Sequence, residues 1–240
     1  DVHTLLANGF CTHSQLETLI GRLNHVCHII PFARHFMSRL RSKLYHPWHR
    51  HTQSFTDAQK DDLQLWVSFL NKAHQGISIN LLTYRKPDVT CWSDASLTGM
   101  GGYNSLGAAW RFELPADCLG RFTLNCLEYV SSIITISFFL DTNPTIEFPC
   151  ILSLLDSTSA IGWLHSSSFA DATQSTHVSL ARHLASTMLD HDAILYSQHI
   201  PGSQNIIADT LSRDFHIETN ELSSLIVSTF QVPTCFHISP

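Results

Sequence analysis

The stretch CWSDASLTGMGGY, residues 91–103, decides which fold this sequence predicts. It continues an apolar run that begins at Val89, and this run is typical of a buried strand that ends on Asp94. The glycines that follow open a second apolar stretch, so we expect a strand entered through a turn over residues 99–110. In α/β folds, the ends of such strands are where sites are built.

On the C-terminal side of this stretch, predicted strands alternate with predicted helices. The expected elements are a helix over 125–140, a strand over 151–155, helices over 159–165 and 175–189, a strand over 193–199 and a helix over 203–212. This alternation predicts an α/β fold in which helices flank a mixed β-sheet. Residues 216–240 show no clear period, and we expect a C-terminal tail or linker there.

On the N-terminal side, the pattern is helical. Residues 15–44 predict two helices separated by Pro31, because apolar residues recur there at helical spacing. Residues 45–55 predict a connector. Thr56 and Gln59 then have the spacing of a capping box, which predicts that a third helix begins at this point.

The charges are distributed unevenly along the chain. Up to Arg50 there are six basic and two acidic residues, whereas the remainder has eight basic and eighteen acidic residues. A basic segment beside an acidic body fits a phosphate-binding arm next to a carboxylate-rich site. A solvated helix face explains the same charges equally well. The candidate phosphate-binding residues share one short predicted helix: Arg34, Arg39, Arg41 and Lys43.

The cysteines and the hydropathy pattern indicate a compartment. Seven cysteines are scattered without a Cys-x-x-Cys pair, which is typical of free thiols in a reducing environment. The nearly apolar stretch over residues 129–140 is too short to span a bilayer, and no signal peptide opens the sequence. We therefore expect an intracellular protein, cytoplasmic or nuclear, with no membrane partner. The missing initial Met suggests a piece of a longer protein.

Four acidic residues lie where predicted strands end or predicted helices begin: Asp94, Glu128, Asp156 and Asp209. Each follows apolar residues, so each is expected to be partly removed from water. Carboxylates brought together repel one another unless a cation lies between them, and hard oxygen ligands select Mg²⁺ or Mn²⁺. Two such ions catalyse in-line phosphoryl displacement. Taken singly, each acid is explained better by a cap or a turn.

Four motifs favour a shared metal site over four unrelated caps or turns. Residues 91–103 resemble the first strand and hairpin of the RNase H fold, LNCLE (124–128) its helix-borne glutamate, and LLDSTSAIGWL (154–164) its third acidic strand end. QHIPGSQNIIADTLSR (198–213) resembles the signature that closes the RNase H domains of retrotransposons. Upstream, LETLIGRLNHVCHIIPFARHFMSRL (16–40) resembles the thumb and connection of retroelement reverse transcriptases. The asparagine in LNCLE and the sequence DSTSAIGWL (156–164) resemble the versions of these motifs in DIRS-like, tyrosine-recombinase retrotransposons.

This resemblance implies a domain organisation. It implies a thumb-like helical segment over 1–55, a connection helix and linker over 56–88, an RNase H-like domain over 89–215 and a tail over 216–240. The remainder of a reverse transcriptase polyprotein, with its fingers and palm, would be a partner. No Tyr-x-Asp-Asp motif of a polymerase occurs in the chain, so we expect no DNA synthesis.

The resemblance also implies an activity. The family hydrolyses the RNA strand of RNA–DNA hybrids with two Mg²⁺ or Mn²⁺ ions and leaves 3′-hydroxyl and 5′-phosphate ends. Its metal-binding acids fall on Asp94, Glu128, Asp156 and Asp209, and the first of them bridges both ions. One departure concerns a histidine that many members carry in a loop before the last acid, because IPGSQN (200–205) is too short for that loop. The alternative function is an inactive RNase H-fold module that binds nucleic acid or supports a larger reverse transcriptase.

Overall fold

A computed structural model of the chain describes residues 1–48, 51–166, 175–230 and 237–239. The chain divides into two compact units. Unit 1 comprises Asp1–Tyr84 and His165–Leu189, and unit 2 comprises Arg85–Leu164 and Asp190–Pro240.

The helices and strands of the first half of the chain are α1 (Val2–Asn8), β1 (Phe10–Thr12), α2 (His13–Ile29), α3 (Ser38–Tyr45), β2 (Thr52–Ser54), α4 (Asp57–His74), β3 (Val89–Ala95), β4 (Gly99–Asn104) and β5 (Ala108–Glu113). Those of the second half are α5 (Leu124–Thr142), β6 (Cys150–Leu155), α6 (Thr158–His165), α7 (Ser175–Asp190), β7 (Ile194–His199), α8 (Ile206–Arg213), α9 (Thr219–Phe230) and β8 (His237–Ser239). Short 3₁₀ turns occupy Pro31–Met37, Ile79–Leu82 and Gly202–Gln204.

Unit 1 is a helical unit with one small two-stranded sheet. The capping box predicted at Thr56 and Gln59 is confirmed, because each residue's side chain bonds the other's backbone N–H. The predicted connector contains a strand, since β2 pairs antiparallel with β1. The core is aromatic at its centre, where the fully buried Trp66 donates a hydrogen bond from its indole to the carbonyl of Phe36.

The boundaries of unit 1 differ from the predicted ones. Apolar residues of α4, such as Leu63, share one core with α2. The predicted segments 1–55 and 56–88 are therefore not separate from each other. Val178 and Ala185 of α7 belong to the same core. This helix was expected in the RNase H-like domain, but its apolar face is buried in unit 1. The periodicity of a sequence predicts which face of a helix is apolar, but it does not predict which element that face packs against.

Unit 2 is built on a mixed six-stranded sheet in the order β7-β6-β3-β4-β5-β8. β3, β4 and β5 form an antiparallel meander, whereas β6 pairs parallel with β3, and β7 parallel with β6. Helices α5 and α8 pack on the central strands β3 and β4. The expectation of an α/β fold with a mixed sheet flanked by helices is confirmed. The predicted single strand over 99–110 is two strands, β4 and β5.

Glycines in β4 let two helices approach the sheet closely. A Cβ atom at Gly101 would lie 2.5 Å from Cβ of Leu211 in α8, and one at Gly102 would lie 2.1 Å from Oγ1 of Thr135 in α5. Both distances are far shorter than any side chain tolerates. Successive residues of a strand face opposite sides, so the glycine pair admits one helix on each face of the sheet.

The prediction for residues 216–240 is corrected in unit 2. α9 packs Leu222 and Ile226 into a cluster with Tyr103, and β8 extends the sheet beside β5, so the C-terminal region contributes to unit 2 and is not a tail. α5 has 19 residues. In the described part of the chain it is the one helix long and apolar enough, by length and composition, to cross a membrane. It packs against β3 and β4, however, as the core helix of an α/β fold does.

Candidate active site

Asp94 lies at the end of the central strand β3 and is 5% exposed. Its Oδ2 atom accepts a hydrogen bond of 2.6 Å from Oγ of Ser212 in α8. Burial raises the pKa of Asp94 to about 6, and the negative charges of Asp156 and Asp209 act in the same direction, whereas the bond from Ser212 and the charge of Arg213 oppose it. The carboxylate therefore lies within the electric field of two other predicted site acids.

Asp156 follows the last residue of β6 and lies at the same edge of the sheet. The register pairs Trp92 with Leu154, and continuing it by two residues places Asp94 opposite Asp156. The turn after β7 closes over this position. A Cβ atom at Gly202 would lie 3.1 Å from Oδ2 of Asp156, so the glycine of the IPG sequence leaves room beside the carboxylate.

Glu128 lies on α5, whose N-terminus is capped by the side chain of Thr123. Burial raises the pKa of Glu128, the charge of Asp156 adds to this, and a hydrogen bond from Ser157 opposes it. Its Oε2 atom is buried and has no hydrogen-bond partner among the described residues. A buried carboxylate oxygen without a partner is costly, which is typical of a position that a ligand completes.

Asp209 is held by the way α8 is attached to the sheet. The side-chain amide of Asn205, at the start of α8, donates 2.9 Å to the carbonyl oxygen of Ser93 in β3. The backbone N–H of Asp209 in turn donates to the carbonyl of Asn205. This tether fixes Asp209 one turn into a helix that lies directly beside Asp94. The Asp209 carboxylate itself accepts a hydrogen bond from Nε of Arg213.

The structure thus brings the four predicted acids into one electrostatic neighbourhood, with Asp156 linking Asp94 to Glu128. Within the described ranges, however, no three His, Cys, Asp or Glu side chains form a group that could hold a metal ion as they stand. The donors fit Mg²⁺ or Mn²⁺ in kind, since they are oxygen ligands and one, Glu128 Oε2, lacks a partner. Mutual repulsion favours their separation when no cation lies between them.

The predicted phosphate-binding set is only partly accessible. Arg39 is buried and pairs with the buried Asp62 at 3.0 Å. Lys43 is also buried and donates 2.7 Å to the carbonyl oxygen of Ser54. We therefore withdraw Arg39 and Lys43 from the set. The helical pattern placed their charges on a surface, but it did not show that the connector and α4 cover that surface.

Arg34 and Arg41 remain candidates. Arg34 is exposed, and Arg41 is half-buried and donates to the side chain of Asn24. Burial raises the pKa of the Cys27 thiol, and the charges of Arg34 and Arg41 both oppose that shift, which places the two guanidinium groups near one point of α2.

Sequence reasoning missed three residues around the acids: Asn205, Ser212 and Arg213. All three lie in the 198–213 motif, so the signal was present. Asn205 bonds the backbone carbonyl of Ser93, Ser212 bonds the carboxylate of Asp94, and Arg213 bonds Asp209 in its own helix. The first two contacts become visible only when α8 is placed on the sheet.

No family model matches the sequence, and no curated protein matches it. Among solved structures, the chain is similar to LC11-RNase H1 in complex with an RNA/DNA hybrid, with 15% identity over 52% of this chain and 93% of that one and a TM-score of 0.39. It is similar to RNase H1 from the archaeon Halobacterium salinarum, with 18% identity over 52% and 97% and a TM-score of 0.34. It also matches a foamy viral protease–reverse transcriptase in complex with double-stranded DNA, with 16% identity over 78% of this chain and 34% of that one and a TM-score of 0.28.

The chain spans about a third of the length of the foamy viral protein. All three TM-scores lie below 0.5, so the interpretation of the site depends on its own geometry.

Proposed function

We propose that unit 2 is a metal-dependent ribonuclease H that hydrolyses the RNA strand of RNA–DNA hybrids. The observation that carries the proposal is the position of Asp94: it is buried at the end of the central strand, within the field of Asp156 and Asp209 from two other elements. Carboxylates from three separate elements repel one another, and this repulsion disfavours the folded state. Such an arrangement is typical of a functional site.

Asp94, Glu128, Asp156 and Asp209 would hold the metal ions. Bound Mg²⁺ or Mn²⁺ supplies an activated water and neutralises charge on the phosphate that is cleaved. The contribution of the chain is to present oxygen ligands in a partly dry site. β3 and β6 fix two of these ligands at adjacent strand ends, and the tether from Asn205 to Ser93 fixes α8 against them.

The wider context is also a proposal. Together, the four motifs and the thumb-like segment support an origin in a retroelement reverse transcriptase. The residues of the second and third motifs favour the DIRS-like class. Its partners would be an RNA–DNA hybrid and the fingers and palm of the polyprotein. The six cysteines in the described part of the chain are free thiols, which suits an intracellular, reducing compartment.

Two observations favour the second candidate, an inactive module that binds nucleic acid. Among the described residues, no three acids meet as metal ligands. In addition, the carboxylate of Asp209 accepts a hydrogen bond from Arg213. If this arrangement persisted in the presence of Mg²⁺, the fold would hold a hybrid without cutting it.

A cleavage assay separates the two candidates. A hybrid with a labelled RNA strand is incubated with the native chain in Mg²⁺ or in EDTA, and a DNA duplex serves as the substrate control. The Asp94→Asn variant, purified in parallel, controls for contaminating nucleases. The proposal expects cleavage of the hybrid only, in Mg²⁺ only, and by the native chain only. Tight hybrid binding without cleavage in Mg²⁺ would establish the inactive module instead.

A further inference from the structure

We infer that Ser212 is a positioning residue for Asp94: its hydroxyl holds one carboxylate oxygen and so fixes how the carboxylate is presented to a divalent cation. The inference rests on the proposed metal-dependent function and assigns a role to a residue outside the four acids. The inference rests on two contacts: the hydroxyl of Ser212 bonds Asp94, and the backbone carbonyl of Ser212 accepts a hydrogen bond from Ser96.

The hydroxyl of Ser212 has two possible acceptors. One is the carbonyl oxygen of Asp209 in its own helix, at 2.9 Å, which is the usual local partner of a helical serine. The other is Oδ2 of Asp94, at 2.6 Å. A hydroxyl has one proton, and the shorter contact has the length of a charge-assisted bond between a hydroxyl and a carboxylate. The proton is therefore directed at Asp94.

The backbone of Ser212 is itself fixed. Oγ of Ser96, in the turn after β3, donates 2.8 Å to the carbonyl oxygen of Ser212. Ser212 is fully buried, so no water competes for its hydroxyl. The loop that follows Asp94 along the chain therefore holds the residue that orients the Asp94 side chain.

This contact engages Oδ2 alone and leaves Oδ1 free of Ser212. Partners of metal-binding side chains that fix the orientation of a ligand typically change metal affinity by about 10–100-fold when they are removed. The predicted consequence is that Ser212 sets the affinity of the site for the ion, although it would not touch the ion.

The chain offers a matched control in Ser131 of α5. Ser131 is also fully buried, and its hydroxyl donates 2.8 Å to Asp94, but to the backbone carbonyl oxygen instead of the carboxylate. Ser212→Ala and Ser131→Ala each remove a buried hydroxyl that donates to Asp94. Only the first removes it from the carboxylate.

The test is Mn²⁺ binding by isothermal titration calorimetry on the full chain, without nucleic acid. We expect Ser212→Ala to weaken Mn²⁺ binding at least about tenfold, Ser131→Ala to leave it within about twofold, and Ser212→Thr to restore most of it by returning the hydroxyl. Thermal melts confirm that each variant is folded at the temperature of the titration.

Equal Mn²⁺ affinity in the native chain and both alanine variants would overturn the inference. Equal weakening in both variants would overturn it as well, because the loss would then reflect packing. So would a native chain that binds no Mn²⁺. The two experiments can fail independently. A native chain that binds Mn²⁺, loses affinity in Ser212→Ala and does not cut hybrids would disprove the ribonuclease and leave the positioning role intact.

Discussion

Nε of Arg213 donates a hydrogen bond to Oδ1 of Asp209, one helical turn earlier in α8. This bond is the largest cause that raises the pKa of Arg213, and the charges of Asp209, Asp94 and Asp156 act in the same direction. The guanidinium is thus a cation within the field of three predicted metal-binding acids. It partly neutralises them when no metal ion does so.

Arg213→Gln should lower the melting temperature of the metal-free protein at low ionic strength. Both partners of the pair are about half exposed, so solvent screening limits the effect to roughly 0.5 kcal/mol, or one to two degrees. Mn²⁺ should remove the difference, because the ion replaces the missing positive charge. Arg121→Gln, at an exposed position before α5, makes the same charge change away from α8. Equal shifts in both variants would contradict a specific role for Arg213.

Asp94→Asn should stabilise the metal-free protein while it abolishes cleavage. The pKa of Asp94 is about 6 in the folded chain and about 3.9 in an unfolded one. Below pH 4 both states hold the proton, and the carboxyl costs nothing. As the pH rises from 4 to 6 the unfolded state releases its proton first, so the free energy of unfolding falls by on the order of 2 kcal/mol and stays lower above pH 6.

The measurement is a pair of melting curves at pH 7.5 and pH 4. We expect the Asn variant to melt several degrees above the native chain at pH 7.5 and close to it at pH 4. A variant that is less stable at both pH values would show that the Asp94 carboxylate stabilises the fold, contrary to the proposed site.

Divalent metal should stabilise the native chain by mass action. The acids repel one another in the folded state, and an ion that binds only that state adds about 2.7 kcal/mol when its concentration is 100 times its Kd. We expect Mn²⁺ to raise the melting temperature of the native chain and to have little effect on Asp156→Asn. NaCl at the same ionic strength controls for general screening. A native chain insensitive to millimolar Mn²⁺ would contradict a metal site at these acids.

The sequence predicted the elements of unit 2 better than their assembly. Val89 to Asp94 and the strand before Asp156 follow from apolar runs that end on a carboxylate, and both strands are present. The two-strand nature of 99–113 was missed because the turn at Gly107 is short and its flanks are alike in hydropathy. Contacts between distant residues, such as Ser212 with Asp94, depend on the packing of α8, which no local pattern encodes.

The buried pair of Arg39 and Asp62 gives a stability prediction. Removing one partner of a buried ion pair leaves an uncompensated charge and costs about 3–5 kcal/mol. Arg39→Met should therefore lower the melting temperature strongly, and adding Asp62→Leu should restore much of the loss. Hybrid affinity, measured well below the melting point, should stay unchanged in Arg39→Met. A loss of affinity with little loss of stability would reinstate Arg39 as a phosphate-binding residue.

The remaining basic residues of unit 1 give a binding prediction. Residues 1–55 share a core with α4 and α7, so truncation would unfold the unit, and point variants are the sharper tool. If Arg34 and Arg41 bind phosphates, Arg34→Gln together with Arg41→Gln should weaken hybrid binding. The plot of log affinity against log salt should then flatten by about 0.9 for each phosphate that is no longer neutralised. The alternative is that both arginines only solvate the helices.

Lys60→Gln is the control, because Lys60 lies in the same unit and already pairs with Asp57 on an exposed surface. It should leave both the affinity and the salt slope nearly unchanged. The cleavage rate at saturating enzyme should survive in the double arginine variant, since all four acids are intact. Parallel salt plots of equal affinity for the native chain and the double variant would exclude phosphate binding by this pair. Unit 1 would then have a structural role alone.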